Sequence, residues 1–216
     1  TLALAICTTI FAVVVAVPLG VLAAWKAHTW IDRGVMLFAV MGFSVPVFVI
    51  GYVLMWVFSL TLGWFPVQGY KPIGEGIGPF LSSIALPTLA LGLVYVALIA
   101  RMTRASVMEV LTEDYIRTAR AKGVNNRTLL MRHALKNASV PIVTIIGVGV
   151  ALLIGGVVVT ESVFNIPGLG RLTIDAVLRR DYPIIQGVIL IFSGIYVLVN
   201  LVIDLSYTVL DPRIRY

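Results

Sequence analysis

Uninterrupted apolar runs of bilayer length limit most strongly what this chain can fold into. No charged residue lies within Leu2–Trp25, from Gly34 to about Leu62, in roughly Gly76–Ala100, in Asn137–Thr160 or in Tyr182–Ile203. Each run exceeds the ~20 residues that a helix rising ~1.5 Å per residue needs to cross a bilayer. A helix satisfies its own backbone hydrogen bonds in lipid. A closed barrel needs short alternating strands, and these runs are continuously apolar. The sequence predicts an all-α integral membrane protein with five transmembrane helices, approximately 2–25, 34–62, 80–104, 138–160 and 183–207. Together they form a single transmembrane domain over 1–216. A composition 60% hydrophobic and 12% charged fits that class and no soluble one.

Charge sets the expected orientation. With the turn around Lys26–Arg33 placed inside, the 101–136 loop and the tail after Ile203 fall on the same side. Twelve of the 16 Lys and Arg residues then lie inside, which is the positive-inside pattern. The C-terminus is expected in the cytoplasm. The net charge of +6 is thereby a topology signal, and nucleic-acid binding is not expected. Cys7 is the only cysteine, which rules out a disulfide framework and reads as an inert thiol. The chain opens on Thr1 directly into a span, which suggests further residues ahead of it.

The cytoplasmic loop, approximately 107–136, is the one strongly charged internal stretch. Val107, Val110, Leu111, Tyr115 and Ala119 fall at helical spacing on one face over 107–122. Glu113 and Arg117 are placed to pair at i,i+4. Gly123 can adopt a left-handed conformation and stop this helix. Asn125 or Asn126 can cap a second helix that carries Leu129, Leu130 and Ala134. The expectation is a helix–turn–helix on the membrane surface. It serves either as an interfacial element meeting anionic lipid or as a docking element for a cytoplasmic protein.

Chemistry is absent where an enzyme would need it. A phosphate loop needs Gly before its Lys, and the four lysines follow Trp25, Tyr70, Ala121 and Leu135. His28 and His133 are the only histidines, too far apart in sequence for a zinc motif. No G-x-S-x-G elbow occurs. We expect no catalytic residues, no metal site and no bound cofactor.

Inside the spans, Thr144, Gly147, Ala151 and Gly155 form a small-xxx-small stripe suited to close helix packing, with a substrate path as the alternative. Ser193, Asn200 and Asp204 share one face of the last span, where lipid cannot satisfy them. Asp204 is placed to pair with Arg213 or Arg215; a translocation or proton role is the other reading. Pro18, Pro46 and Pro87 are candidate kinks. The external segment 161–182 contains "IPGLGR", with a short helix expected around Leu172–Arg180.

Aligned on Gly123, the loop resembles the "EAA" loop of bacterial ABC-importer permeases, whose pattern is E-A-A-x3-G-x9-I-x-L-P. Ala119, Gly123 and Leu135 match; Arg117, His133 and Lys136 stand at the Glu, Ile and Pro positions. "EDYIRTARAKG" followed by "RHALKNA" is similar to the variant of the dipeptide/oligopeptide/nickel branch. "FSVPVFVIG" (43–51), "LGWFPVQGY" (62–70), "ESVFNIPGLGRL" (161–172), "DYPIIQG" (181–187) and "LDPRIRY" (210–216) resemble other segments of that branch.

The resemblance implies a six-span subunit in the bacterial inner membrane, with one span ahead of the five seen here. It implies a second, homologous permease subunit, two cytoplasmic ATPase subunits that carry ATP and Mg, and an extracytoplasmic substrate-binding protein. Cargo would be peptides or similar small solutes. ATPase coupling would fall on Leu111, Asp114, Tyr115, Arg117, Ala119, Arg120, Lys122, Gly123 and Leu135. Leu111, Tyr115 and Ala119 would enter the ATPase groove, with Arg117, Arg120 and Lys122 along its rim. The Gly147 stripe would lie at the seam between permeases, and 161–182 would face the binding protein. The rival readings are a stand-alone proton-coupled carrier or channel and a membrane scaffold.

Overall fold

The computed structural model describes residues 1–210, with side chains to 208. These residues are helical, without a strand. Four helices are long and apolar enough to cross a membrane: α1 (Leu2–Trp25), α4 (Ile77–Leu111), α8 (Ser139–Val163) and α10 (Tyr182–Leu210). A fifth crossing exists only if a bent pair counts as one span.

That pair corrects the continuous helix expected over 34–62. It consists of α2 (Trp30–Ser44) and α3 (Val47–Leu54), which continues as a π-helical stretch over Met55–Thr61. The two halves meet at 102°. Proline disfavours helical backbone in the residue before it, and Val45 adopts φ −95°, ψ 125° ahead of Pro46. Pro18 and Pro87 sit inside α1 and α4 without ending either helix.

The centre of the fold is α4. In its most apolar window 72% of residues are buried, against 6% for α10. Its closest partner is α1, and here a stripe of small residues does the packing. Thr8, Ala12, Ala16, Gly20 and Ala24 recur every fourth position and are all buried. A Cβ on Gly20 would lie 2.6 Å from the Ala100 carbonyl oxygen and from Thr103 Cβ, so the two backbones approach too closely for any side chain there.

The stripe expected on α8 divides instead. A Cβ on Gly147 would collide with Ile203 of α10, Ala151 is half-buried, and a Cβ on Gly155 would meet nothing within 4 Å. The face of α8 that packs on α4 runs through Gly149, Leu153 and Val157, next to Gly156.

At one end of the bundle, the loop after α3 folds onto the end of α8. The Gly69 amide donates to the Phe164 carbonyl at 3.1 Å and Gln68 to the Val163 carbonyl at 3.3 Å. The short helix of the 161–182 segment, α9, spans Leu169–Arg179 and so begins earlier than its sequence suggested. Glu161, fully buried, accepts from the Arg171 amide at 3.1 Å in the first turn of α9. It also accepts from the Thr1 hydroxyl at 2.6 Å, whose oxygen in turn receives the Leu169 amide. Carboxylates are stabilised at helix N-termini. A Cβ on Gly168 would overlap this carboxylate, which explains the glycine.

Candidate coupling site

At the opposite end, α4 spans 35 residues, roughly 50 Å at the helical rise. It therefore outruns a ~30 Å hydrocarbon core. The single helix expected over 107–122 is corrected: residues to Leu111 belong to α4, and the chain breaks at Thr112–Glu113. A separate helix, α5 (Asp114–Ala121), follows, with Glu113 as its extended N-cap. Asp114 in the first turn and Arg120 in the last complement the helix dipole. The Glu113–Arg117 pair is replaced by an exposed Asp114–Arg117 contact at 3.3 Å, which contributes little to stability.

The end of α5 is fixed by Gly123 at φ +80°. The Gly123 amide donates to the Arg120 carbonyl and the Val124 amide to that of Ala119, at 3.0 and 3.2 Å. These are the two bonds of a Schellman motif. The Asn125 side chain then accepts from the Thr128 amide at 2.8 Å, capping α6 (Asn126–Thr128). The chain continues through a π-helical stretch, Leu129–Ala134, into α7 (Leu135–Asn137).

Packing sets the rotation of this hairpin. Leu130, Ala134 and Ala138 join Val21 and Ala24 of α1 and Val107 of α4 in a second core, against which Leu111 and Leu135 also pack. Both leucines named as coupling candidates thus turn inward. On α5 the anchor is Ile116, fully buried and absent from the predicted face. Ala119 is half-buried, while Asp114, Tyr115, Arg117, Arg120, Lys122 and Gly123 are exposed. The Tyr115 hydroxyl accepts from Asn137 Nδ2 at 2.7 Å, and the same amide donates to the His133 carbonyl at 2.9 Å. This bond braces α5 against α7.

A buried ion pair supports the same end. Asp32, at the start of α2, is 4% exposed and accepts two bonds from the Arg104 guanidinium of α4, one of them at 2.7 Å from Nη2. Its carboxylate also accepts from the His28 amide at 2.9 Å, where the backbone turns through φ +65°. The turn between α1 and α2 is thereby tied to α4. Nothing local in the sequence signals a partnership 72 positions apart.

The intramembrane polar candidates are less engaged. Asn200 donates to its own helix at the Tyr196 carbonyl, 2.9 Å away, and Asp204 is exposed on α10. Arg213 and Arg215, its expected partners, lie outside the described residues, as does most of the "LDPRIRY" stretch. A bond between Thr144 and Tyr207 at 2.8 Å joins α8 to α10. Among the described residues no three His, Cys, Asp or Glu side chains gather as a metal site would require.

The bundle of long apolar helices, with a capped amphipathic hairpin beyond the end of α4, defines a multi-span membrane protein built to present a helix at its surface. Its arrangement is that of a transporter subunit of known structure. Over 97% of this chain and 92% of the other it matches the inward-facing MetNI methionine ABC transporter, with a TM-score of 0.77 and 18% identity. Residues 16–216 match the family described as the binding-protein-dependent transport system inner membrane component. Across all 216 residues the chain is 54% identical to a probable peptide ABC transporter permease of Sinorhizobium fredii, covering 69% of it. It is 46% identical to the glutathione transport system permease GsiC of Escherichia coli K12, covering 68%. The chain belongs to the family of inner-membrane components of binding-protein-dependent transport systems. It is a multi-pass permease subunit and not an enzyme.

Proposed function

We propose that α5 is the handle through which cytoplasmic ATPases drive this permease, and that the cargo is a peptide or similar small solute. The observation that carries the first part is the division of α5 into two faces. Ile116 is fully buried where α5 packs on the Leu129–Ala134 stretch, and the Tyr115–Asn137 bond braces the helix from outside. Asp114, Tyr115, Arg117 and Lys122 remain exposed. A short helix held this way transmits a push on its exposed side to α1, α4 and α8 as a rigid body, the usual way a switching interface moves packed helices. Two ATPase subunits carrying ATP and Mg, a second permease and an extracytoplasmic binding protein complete the assembly. The C-terminus lies in the cytoplasm with the other basic segments.

The peptide class is supported by the names of the Sinorhizobium and Escherichia coli relatives. Co-purification of ATPase with Tyr115→Asp and Gly123→Pro subunits tests the coupling. Both should lose ATPase, and ATP turnover should no longer rise with a peptide-loaded binding protein. Normal retention and normal turnover in both would end the proposal.

A further inference from the structure

A cavity of about 390 Å³ lies on the inner side of the hairpin, lined by Trp25, Leu111, Arg120, Asn126, Leu129 and Leu130. We infer that it holds the headgroup of an anionic phospholipid from the cytoplasmic leaflet, with Arg120 on its phosphate. The inference rests on the membrane placement of α1, and does not need α5 to touch an ATPase.

Three features of the cavity point to that ligand. The first is the direction of Arg120. At 100° per residue it lies about 40° around α5 from the buried Ile116, whereas Lys122 lies about 120° away. Arg120 therefore lines the cavity while its side chain also reaches solvent, whereas Arg117 and Lys122 do not line it. The second is depth. Trp25 closes a 24-residue apolar helix and is half exposed, the headgroup-level position that tryptophan favours. Lys26 sits over its ring at 5.3 Å, and Arg33 over that of Trp30 at the same distance, so further positive charge stands at this level. Arg104, by contrast, is neutralised by Asp32. The third is the mixed lining. Leu111, Leu129 and Leu130 give an apolar floor for the first carbons of an acyl chain, and Arg120 and Asn126 supply donors for phosphate oxygens.

Native mass spectrometry of the full-length subunit in its complex, titrated with phosphatidylglycerol or phosphatidylcholine, tests the site. Phosphatidylglycerol should bind in preference. Arg120→Gln should weaken it about five-fold, the effect of one basic contact at an anionic surface. Asn126→Leu should weaken it less, and Lys122→Gln should leave it unchanged. Equal binding of the two lipids would overturn the inference. So would equal losses in Arg120→Gln and Lys122→Gln, which would signal diffuse surface charge. If Arg120→Gln lost ATPase but kept its phosphatidylglycerol, the cavity would belong to the protein partner instead. Displacement of bound phosphatidylglycerol by millimolar inorganic phosphate would show that the site selects a free anion and not a lipid.

Discussion

Removing either member of the Asp32–Arg104 pair should destabilise the subunit, and the two effects should not add. Breaking a buried pair by deleting one partner costs about 3–5 kcal/mol, because the other charge is left without compensation. Exposure ranks the two variants: the Arg104 side chain is 23% accessible and that of Asp32 only 5%. After Asp32→Ala, water still reaches the guanidinium, so the cost falls at the low end, about 3 kcal/mol. After Arg104→Ala, a carboxylate closed off from water keeps only the His28 amide, and about 4 kcal/mol follows. The double variant strands no charge. It should cost no more than the worse single change, giving a coupling of about 3 kcal/mol. Unfolding in mixed micelles with a denaturing detergent, followed by tryptophan fluorescence, reads all four proteins. Trp25 and Trp30 flank the turn that this pair secures. Additive effects within 0.5 kcal/mol, or the opposite ranking, would refute the reasoning.

Two further substitutions probe the helix contacts. Gly20→Ala should cost about 1–3 kcal/mol by overpacking, since its methyl group meets the Ala100 carbonyl on α4. Gly155→Ala meets nothing within the subunit and should change its stability by under ~0.5 kcal/mol; equal effects in the same unfolding assay would show that α1 and α4 are not in close contact. Gly123→Ala places a Cβ at φ +80°, at about 1–2 kcal/mol. Trypsin should then cleave faster after Arg120 and Lys122 in the solubilised complex, and an unchanged rate would argue against the left-handed stop.

Much of the hairpin was legible because its determinants are local. Gly123 as the stop and Asn125 as the cap depend on bonds within a few residues; the sequence names Gly123 outright and offers Asn125 with Asn126 for the cap, of which the structure uses Asn125. Its rotation was not legible. Tyr115 and Ala119 fit an apolar face as well as Ile116 does, and only the packing of α5 on the Leu129–Ala134 stretch chose Ile116. The same limit applied to the break at Pro46. Of the three prolines singled out as candidate kinks, Pro18, Pro46 and Pro87, only Pro46 stands where a helix ends.

By itself the sequence determined that long apolar helices cross a membrane, roughly where each lies, and where a charged hairpin interrupts them. Bilayer thickness and backbone hydrogen bonding leave no other solution for such runs. Only the tertiary structure decided which side of each helix faces protein. In a helix that is apolar all round, the lipid face and the packed face read alike. Thus the small-residue stripe that α4 grips belongs to α1, the Gly155 end of the α8 stripe stays open, and Asp32 finds Arg104 across 72 positions. The positions of the apolar runs are written along the chain; rotation and partnership arise when the helices meet.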